Sequence, residues 1–596
     1  MTGRKDKKDR LTDVIQGDEE FNDIDKNEGL DKRQKITVAV SVLLLFAIAA
    51  AVVCVAVKKL TPGKDVMSLE EYYNIPEGEA MIIMDDAIYE QNALIYDGMA
   101  YIDLDTIIEY FDDRYYWDSY ENLLVYTTPS EIIKTETASK YYSVNKTRRD
   151  TSYVTVKVTN GKVYVAAEYI KLFSNFNYTM YEAPYRLIID HEYVDYLYAD
   201  VTKATQIRTA ADIKSEILKE VAVGEKLMFI DNKGAEEKGF VRVMTEDGVR
   251  GYVKKKYISA TYYDTKTSNY ETPVYSNITK NYRINLVWHQ VTNEQANDNM
   301  TSLLDSTKGV TTISPTWFRV DSVEGTLSSL ASEDYVERAH SRGVEVWALV
   351  DNFDTSVDCY ELLSRTSRRE RLVNEIIAAA IKYNLDGINI DFESLTSQTG
   401  VHYIEFLREL SVKCRSNQIV LSVDNYVPAS YNMFYDLEEQ GEIIDYVIIM
   451  AYDEHHSKSE EAGSVASIGF VTNAVNDTLK YVDKEKMIIG MPFYTRLWKA
   501  VTENGQTSLT SEALGMANAK SVLSKNGITA AWDENTAQYY AEYESGGAVY
   551  KIWLEESESI EEKLNVIFGA DAAGVACWRL GFENSEVWDV ILKYVN

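Results

Sequence analysis

The feature that most constrains this chain is an apolar run near its start, which extends from residue 36 to 57 without a charged side chain. About 20 such residues suffice to cross a bilayer as a helix, and a core helix is rarely this long and this apolar. A cleaved signal peptide would begin with a short basic segment, whereas about 35 mostly polar residues precede this run. A lipoprotein site would need a small residue before Cys54, and Val53 stands there. We therefore predict a membrane-spanning signal anchor at residues 36–57.

Residues 1–35 are rich in Asp, Glu and Lys and lack apolar periodicity, which predicts a disordered tail. Lysines flank both ends of the apolar run, so charge alone gives only a weak orientation. The domains that follow have the character of wall-facing modules, and they place the tail in the cytoplasm. The predicted location is the cell membrane, with a single pass and an extracellular C-terminal part.

The length and charge of the chain limit the number of its domains and the kind of partner it can bind. A chain of 596 residues should hold three or four domains. Its formal net charge of -33 argues against a nucleic-acid partner, because a phosphate backbone binds through Lys and Arg. The 4 cysteines include Cys54 in the apolar run, and the other three lie far apart, so no disulfide framework is expected. The sequence says nothing about the oligomeric state.

Residues 66–195 are rich in tyrosine and contain an internal repeat, in which a turn and a short strand precede an amphipathic helix. In the first copy Asp97-Gly-Met-Ala-Tyr-Ile102 precedes Ile108-Glu-Tyr-Phe111, and in the second Asn160-Gly-Lys-Val-Tyr-Val165 precedes Ile170-Lys-Leu-Phe173. This pattern resembles the copper-amine-oxidase-like N-terminal domain, a non-catalytic stalk in bacterial surface proteins. The resemblance implies no copper, and we interpret the region as an α+β stalk domain that acts as a spacer.

Residues 196–262 alternate short strand patterns with glycine turns, which favours a small β-barrel. The closing segment Gly251-Tyr-Val253 with Tyr257-Ile258 resembles a bacterial SH3 domain. In that family such modules bind cell-wall peptides or serve only as spacers. The sequence leaves both roles open.

From about residue 280 apolar, strand-like runs alternate with amphipathic helices, which is typical of a parallel sheet with helical crossovers. The runs are Ile284–Trp288, Thr311–Thr316, Val344–Val350, Gly387–Phe392, Ile419–Val423, Tyr446–Ala451, Met487–Met491 and Gly574–Trp578. Eight runs within residues 280–596 predict an α/β fold, a (β/α)8 TIM barrel, with an insertion of roughly 80 residues before the last run. Chemistry in such a barrel lies at the C-terminal ends of the strands.

The polar end of one run is the candidate catalytic segment, Asp386-Gly-Ile-Asn-Ile-Asp-Phe-Glu393. Side chains alternate along a strand, so Asn389, Asp391 and Glu393 share one face. Burying three polar groups is costly without pairing or function, and two close carboxyls cannot both ionise easily. One pKa should therefore rise, as a general acid requires. A metal site is the less favoured alternative, because none of the 6 histidines forms a ligand-like pair with these acids.

The segment resembles the Asp-x-x-Asp-x-Asp-x-Glu signature of glycoside hydrolase family 18. Three further segments resemble later strands of that family in the right order: Met450-Ala-Tyr-Asp453, Gly490-Met-Pro-Phe-Tyr-Thr-Arg496 and Gly574-Val-Ala-Cys-Trp578. The resemblance covers residues 280–596. It implies substrate-assisted catalysis on an N-acetylated amino sugar, without a metal or other cofactor.

The resemblance also implies roles for single residues. Glu393 would protonate the glycosidic oxygen, and Asp391 would hold the acetamido N–H and stabilise the oxazolinium-like intermediate. Tyr452 would donate to the acetamido oxygen, while Trp578 would form the floor of the sugar site. The remaining pocket residues implied by the matching segments are Tyr494, Asp453, Met450 and Arg496.

One departure from the family pattern is Asn389, which stands where the family has its middle aspartate. An amide can hydrogen-bond Asp391 but cannot share its proton, so the pH profile should differ from that of ordinary chitinases. The same asparagine, and the segment Trp347-Ala-Leu-Val-Asp-Asn-Phe353, resemble the spore-cortex and peptidoglycan-acting branch. Asp386 lies off the strand alternation and is interpreted as a structural cap.

Tryptophans offer candidate sugar platforms outside the motifs. We expect Trp347, in the middle of a strand, to belong to the core, and Trp317, Trp498 and Trp532 to be candidates for subsite walls.

Three functional hypotheses remain. The leading one is a membrane-anchored extracellular glucosaminidase that cuts β-1,4 linkages in peptidoglycan or a related N-acetylglucosamine polymer. The second is a chitinase or endo-N-acetylglucosaminidase on external glycans. The third is a catalytically silent barrel that binds glycan as a scaffold.

Overall fold

The computed structural model describes residues 31–230 and 234–595. The chain divides into two compact units that interleave in sequence. The first contains the described residues up to Asn74 together with Leu197–Tyr263, and the second contains Ile75–Tyr196 together with the chain from Asp264 onward.

The apolar run forms helix α1, Lys32–Leu60, which is long and apolar enough to cross a membrane and has no buried residue. Asp31 caps its N-terminus by accepting a hydrogen bond from the Arg33 backbone N–H. The helix thus includes the last residues of the predicted tail, and residues 1–30 of that tail lie outside the described part of the chain. A short helix, α2, Leu69–Tyr73, follows.

The stalk region consists of two sheets and two short helices. Its elements are β1 Glu79–Met84, β2 Ala87–Tyr96, β3 Met99–Asp103, α3 Leu104–Tyr110, β4 Tyr116–Asp118, β5 Leu123–Thr127, β6 Ile132–Glu136, β7 Tyr141–Val144, β8 Thr147–Asp150, β9 Val156–Thr159, β10 Lys162–Ala166, α4 Ala167–Ile170, β11 Asn177–Tyr181 and β12 Arg186–Asp190. The first sheet has the order β11-β12-β1-β2-β3-β10-β9, and the second runs from β4 to β8.

The internal repeat becomes a local two-fold arrangement. Each copy opens on a tight turn with positive φ, at Asp97 and at Asn160, and continues as β3 or β10. These strands pair antiparallel, with Ile102 opposite Val165, which are equivalent positions of the two copies. Asp103 caps α3 with its side chain, whereas α4 has no side-chain cap and is shorter.

The region resembling an SH3 domain forms one seven-stranded sheet. Its elements are β13 Asp195–Asp200, β14 Thr205–Arg208, β15 Ile217–Val221, β16 Lys226–Phe229, β17 Phe240–Thr245, β18 Arg250–Lys254, a 3-10 helix Lys255–Tyr257 and β19 Tyr262–Thr265. The strand order is β15-β14-β18-β17-β16-β13-β19. Gly251 lies against the Arg208 carbonyl, where an added Cβ would come within 2.5 Å of the oxygen.

Residues 63–74 fasten the end of α1 to this domain. The Gly63 N–H donates to the Ile213 carbonyl at 2.8 Å, and the Met67 N–H donates to the Ile217 carbonyl at 3.0 Å. The hydroxyl of Tyr73, in α2, donates to the Gly248 carbonyl at 2.9 Å. Residues 66–74, which the sequence assigned to the stalk, therefore belong to the first unit, because they complete its sheet and core.

The eight predicted barrel strands are present and close into a barrel. They are β20 Ile284–His289, β21 Thr312–Val320, β23 Glu345–Asp351, β24 Gly387–Asp391, β25 Val420–Tyr426, β26 Tyr446–Met450, β27 Met487–Pro492 and β33 Gly574–Trp578. All pair in parallel, and β20 pairs with both β33 and β21. A short strand, β22 Leu327–Ser329, forms a hairpin with the part of β21 that extends beyond the barrel. The TIM-barrel prediction is confirmed.

Helices cover the barrel, and the insertion forms its own sheet. The helices are α5 Met300–Leu304, α6 Glu333–His340, α7 Cys359–Leu363, α8 Thr366–Lys382, α9 Ser397–Ser416, α10 Leu437–Ile443, α11 Ile468–Thr478, α12 Met516–Asn526, α13 Ser557–Gly569 and α14 Glu586–Val595, with 3-10 helices at Glu294–Asn299 and Met433–Tyr435. The insertion contains α12 and the strands β28 Tyr494–Glu503, β29 Gln506–Gly515, β30 Ala531–Asp533, β31 Gln538–Ser545 and β32 Ala548–Leu554.

The second stalk sheet docks on helices α8 to α10 of the barrel through buried polar groups. The hydroxyl of Tyr116 in β4 lies 2.7 Å from His402 Nδ1 and accepts a hydrogen bond from Arg369 at 3.1 Å. Arg369 is fully buried and pairs with Glu409 at 3.0 Å. Nearby, Arg114 of the stalk pairs with Glu439 at 2.9 Å. The stalk is thus packed into the catalytic unit, which a simple spacer would not require.

Candidate active site

The candidate catalytic segment ends strand β24 at the C-terminal rim of the barrel. Ile388 and Ile390 point outward into the core beneath the helices, as the alternation predicted. Asn389, Asp391 and Glu393 face the barrel interior and its mouth. Asp386 lies at the opposite end, where its carboxylate accepts from the Val346 backbone N–H at 2.8 Å. That position explains Asp386 as a structural residue.

Three buried partners fix the side chain of Asn389. Its Oδ1 accepts from Trp288 Nε1 at 2.9 Å and from the Ser314 hydroxyl at 3.1 Å. Its Nδ2 donates to Asp424 Oδ1 at 2.9 Å. Indole N–H groups only donate, so Trp288 determines which end of the amide faces which partner.

Asp391 is a nearly buried carboxyl, 6% exposed. Its Oδ1 has no hydrogen-bond partner among the residues that the structure describes. Burial, followed by the charges of Asp424, Glu393 and Asp351, raises its pKa well above the ordinary value. An unpartnered buried oxygen of this kind can accept an N–H from a bound substrate.

Glu393 is held from two neighbouring strands. Its Oε2 accepts from the Tyr426 hydroxyl at 2.6 Å. The amide of Asn352 pairs with its backbone in both directions, because Nδ2 donates to the Glu393 carbonyl and Oδ1 accepts from the Glu393 N–H, each at 2.9 Å. Burial is the largest cause of a raised pKa for Glu393, and nearby Asp453 and Asp351 add to it.

Asp424 is a site residue that the sequence reasoning missed. It lies in β25 with 2% exposure, and burial raises its pKa to about 8. The signal for it was an acidic residue directly after the predicted strand Ile419–Val423, at its C-terminal end. Only the parallel pairing of β24 with β25 brings it beside Asn389 and Asp391.

A further carboxyl, Asp351, ends strand β23 in register with Asp391. Its side chain is 4% exposed and pairs with Arg319, which is 50% exposed, at 2.7 Å. The guanidinium thus faces solvent on one side and screens a buried carboxylate on the other. The site therefore gathers four carboxyls from three adjacent strands, of which one has a direct cationic partner.

The structure brings most predicted pocket residues together at this rim. Tyr452 follows β26, and burial and the charges of the site carboxyls raise its pKa well above the ordinary value. Trp288 lies between it and Trp578, at ring distances of 6.4 and 6.0 Å. The Tyr494 hydroxyl donates to Asp453 at 2.5 Å, and the Tyr494 ring lies 6.4 Å from that of Tyr452.

Two further predicted residues lie at the edge of this group. Met450 is the last residue of β26 and is nearly buried. Arg496 belongs to β28 of the insertion and donates to the Ser511 hydroxyl at 3.1 Å. Its positive charge acts on Tyr494, which places it next to the pocket.

A cleft of about 420 Å³ adjoins Trp578. Its walls come from the ends of β20, β21 and β23 and from the β21–β22 hairpin, and they include Thr292, Arg319 and Asp351. Glu393 follows β24, the strand next to β23, and lies beside Tyr426 of β25. The cleft has the size expected for a small-molecule or sugar site.

The tryptophan expectations were partly wrong. Trp347 is fully buried, as expected, and stacks on Tyr446 at 5.4 Å. Trp317 and Trp498 are only 2% and 1% exposed, and their indole N–H groups bond within the protein. Trp498 therefore offers no free face to a sugar ring, whereas Trp317 is among the residues that line the cleft beside Trp578. Trp532 lies on β30 of the insertion and packs edge-on against Tyr539.

Metal-ligating residues do not gather here. Within residues 31–230 and 234–595, no group of three or more His, Cys, Asp or Glu side chains has the arrangement of a metal site.

Residues 287–583 match the family described as Glycosyl hydrolases family 18. The barrel belongs to glycosyl hydrolase family 18. Residues 203–259 match the Bacterial SH3 domain, and residues 83–185 match the Copper amine oxidase N-terminal domain. The three family resemblances predicted from the sequence are thus confirmed, and the chain is a glycoside hydrolase.

The family 18 relatives include bacterial glycosylases. Over 270 residues the chain is 25% identical to the uncharacterized glycosylase YvbX of Bacillus subtilis, covering 43% of this chain and 76% of that protein. It is 25% identical over 242 residues to the Cortical fragment-lytic enzyme of Bacillus subtilis, covering 39% of this chain and 56% of that protein. The chain thus spans little more than half of the second relative.

The chain is also similar to solved structures. The spore cortex-lytic enzyme SleL of Bacillus cereus has a TM-score of 0.48 and 18% identity, over 63% of this chain and 90% of that chain.

Proposed function

We propose that this protein is a membrane-anchored extracellular glycosidase that hydrolyses β-1,4 linkages in N-acetylglucosamine-containing cell-wall glycan. The observation that carries the proposal is the presence of two different carboxyls, Glu393 and Asp391, on the same face of β24 and its C-terminal extension. One is a protonatable carboxyl held at the mouth of the barrel, and the other is a buried carboxyl with an oxygen free for an acetamido N–H.

Glu393 suits the role of general acid in this reaction. Burial raises its pKa, which favours the protonated form that an acid needs, and its backbone is fixed by Asn352. The acid donates this proton to the glycosidic oxygen as the bond to the anomeric carbon breaks. The departing sugar leaves as an alcohol.

The substrate itself supplies the nucleophile in the proposed mechanism, an exception to the two-carboxylate rule for retaining enzymes. The 2-acetamido carbonyl oxygen attacks the anomeric carbon and forms an oxazolinium ion. Asp391, as a carboxylate, accepts the acetamido N–H and stabilises the positive charge, while Tyr452 donates to the acetamido oxygen. Water then attacks the anomeric carbon and transfers its proton to Glu393, which regenerates the acid with net retention of configuration.

The remaining pocket residues position the sugar. Trp578 borders the cleft and presents a ring for stacking beneath the sugar that precedes the scissile bond. Tyr494 and Asp453, hydrogen-bonded to each other, form the opposite wall with Met450, and Arg496 supports Tyr494.

Peptidoglycan is the proposed substrate rather than free chitin. The helix α1 would hold the enzyme at the membrane, and the SH3 domain is of a type found in wall-facing proteins. Relatives of the barrel include cortical fragment-lytic enzymes. An endochitinase of Brugia malayi is 23% identical over 249 residues, so chitin remains the substrate to test beside peptidoglycan.

The test uses the full chain in detergent with purified peptidoglycan and with N-acetylglucosamine oligosaccharides. The Glu393→Gln variant should lose about 100-fold or more of the activity, since general acid catalysis contributes that much. Glu438→Gln, an exposed carboxyl on α10, is the matched control and should retain activity.

Each outcome has a distinct meaning. Release of reducing sugar by neither wild type nor variant contradicts hydrolysis and favours a silent glycan-binding scaffold. Equal release by both contradicts the role of Glu393, and cleavage of chitin oligosaccharides alone favours a chitinase. External location is tested by adding protease to intact cells, where full protection of the barrel would contradict it.

A further inference from the structure

The barrel carries an amide where the family signature has its middle aspartate. Asn389 cannot accept or release a proton, so it cannot share one with Asp391 as a carboxyl would. Asp391 nevertheless lies in an environment that opposes its ionisation, because it is nearly buried and surrounded by acids. The mechanism above needs Asp391 as a carboxylate. Burial favours a bound proton among these carboxyls. During the reaction that proton must therefore reside on a group other than Asp391 or Asn389.

Asp424 is positioned to take that proton. Strands β24 and β25 pair in parallel, with Asn389 opposite Ser422 and Ile390 opposite Val423. The next positions along the two strands are Asp391 and Asp424, so the two carboxyls lie at the same level of the barrel. No aspartate would be expected at this depth without a partner or a function.

The amide of Asn389 engages one oxygen of Asp424. Its Oδ1 accepts from Asn389 Nδ2 at 2.9 Å. The orientation of that amide is set by Trp288, since its indole N–H can only donate to Asn389 Oδ1. On the neighbouring strand, Oδ1 of Asp391 is unpartnered among the described residues and is available for a shared proton.

The other groups around the pair offer no compensating cation. Asp391 and Glu393 face it from β24, Asp351 from β23, and two tyrosines, Tyr452 after β26 and Tyr403 on α9, complete the surroundings. Arg319 lies beyond Asp351 and pairs with that residue. Two buried carboxyls in such surroundings hold one proton between them.

We propose that Asp424, on the neighbouring strand, shares a proton with Asp391. It thereby performs the role that an aspartate at position 389 would have in the family signature. This rests on the function proposed above and adds a positioning residue to it. When substrate enters, the proton moves from Asp391 to Oδ2 of Asp424, the oxygen that Asn389 does not engage. Asp391 is left with a full negative charge for the acetamido N–H and the oxazolinium ion, and no other group changes its protonation.

Asn389 acquires a role in the same arrangement. It donates to the oxygen of Asp424 that does not carry the proton and accepts from Trp288 and Ser314. The amide therefore holds Asp424 in place whether that carboxyl is protonated or not. A carboxylate at 389 would instead place two like charges together unless a further proton were bound.

The experiment exchanges the two groups between the two positions. Asp424→Asn removes the shared proton without changing the size of the side chain, and should lower kcat/KM about 100-fold. It should also move the alkaline limb of the pH profile, because Asp424 no longer raises the pKa of Asp391, the carboxyl that precedes Glu393 on the same face of the strand. The double variant Asn389→Asp/Asp424→Asn restores a carboxyl beside Asp391, and should recover activity to within about tenfold of wild type and return the limb.

Asp445→Asn is the control for a buried carboxyl lost from the same barrel. Asp445 lies at the opposite end, where it accepts from the backbone N–H groups of Leu421 and Ile278. It should reduce stability and leave the alkaline limb in place. All variants are made in the full chain and checked for folding by circular dichroism.

Two results would overturn the proposal. One is an Asp424→Asn variant with wild-type kcat/KM and an unmoved alkaline limb. The other is a double variant whose loss equals the product of the losses measured for Asp424→Asn and for Asn389→Asp alone, which indicates independent structural damage.

A second measurement does not depend on catalysis. Because Glu393 and Glu405 also have raised pKa values, the infrared spectra of wild type and Asp424→Asn are compared as a difference at neutral pH. The variant should lose the band of one protonated carboxylic acid, and identical spectra would contradict the assignment. If wild type hydrolyses no substrate but this band behaves as expected, the proposed function fails while the shared proton stands.

Discussion

Replacing Arg369 by methionine should strongly destabilise the second unit. The guanidinium is fully buried between the stalk and helices α8 and α9. It donates to Glu409 through Nε and Nη2, to the Leu363 carbonyl at 2.7 Å, to Thr366 and to the Tyr116 hydroxyl. Methionine fills similar space and makes none of these bonds.

The magnitude follows from what is left behind. Glu409 would remain as a buried carboxylate without its cation, and breaking a buried ion pair in this way costs about 3–5 kcal/mol. Glu405, beside the same cluster, already has a pKa raised to about 8 by burial and by Glu409. Loss of Arg369 should raise it further, since its charge acts to lower that pKa.

The assay is denaturant unfolding of the full chain in detergent, followed by tryptophan fluorescence, because eight of the 9 tryptophans lie in the barrel region after residue 280. Arg371→Met, an exposed arginine on the same helix, is the matched control and should change the free energy of unfolding by less than about 0.5 kcal/mol. Combining Arg369→Met with Glu409→Gln should recover part of the loss, because the uncompensated charge is removed. A loss below about 1 kcal/mol for Arg369→Met would refute the reasoning.

Two further substitutions test the site and the barrel. Asn352→Ala should lower kcat about 10- to 100-fold with a smaller change in KM, since it frees the backbone that positions Glu393, and unchanged kcat would contradict this role. Gly574→Ala should destabilise the barrel by about 1–3 kcal/mol, because its Cβ would lie 2.2 Å from the Ile284 carbonyl oxygen. Gly569→Ala, with no atom within 4 Å of the added Cβ, should be neutral or stabilising in the same thermal melt, and equal effects of the two would contradict the packing argument.

The sequence was most informative where a single strand carries the signal. The barrel strands are apolar runs of the right length and spacing, and the alternation of Asn389, Asp391 and Glu393 already places them on one face. Sequence patterns register such local periodicity directly. The observed strand ends differ from the predicted ones by a few residues. Strand β21, for example, continues past the barrel into a hairpin.

What the sequence could not supply depends on contacts between distant segments. Asp424 reaches Asn389 only because two strands pair in register, and Asn352 reaches Glu393 across another strand pair. Trp498 was misjudged as a sugar platform for the same reason, since burial by other segments decides which faces remain free. The docking of Tyr116 on Arg369 joins residues 253 positions apart.

The fastening of residues 63–67 to the SH3 domain has a mechanical consequence. As a flexible linker, these five residues could extend about 17 Å, and the position of the domain relative to α1 would vary by a similar distance. Hydrogen bonds to residues 213 and 217 hold this segment on the domain and prevent that extension. In addition, the Lys214 ammonium donates to the Lys58 carbonyl in the last turn of α1, at 2.6 Å. If α1 anchors the protein in a membrane, a force on the SH3 domain would therefore be transmitted directly to α1. The distance between the SH3 domain and the bilayer would stay nearly constant.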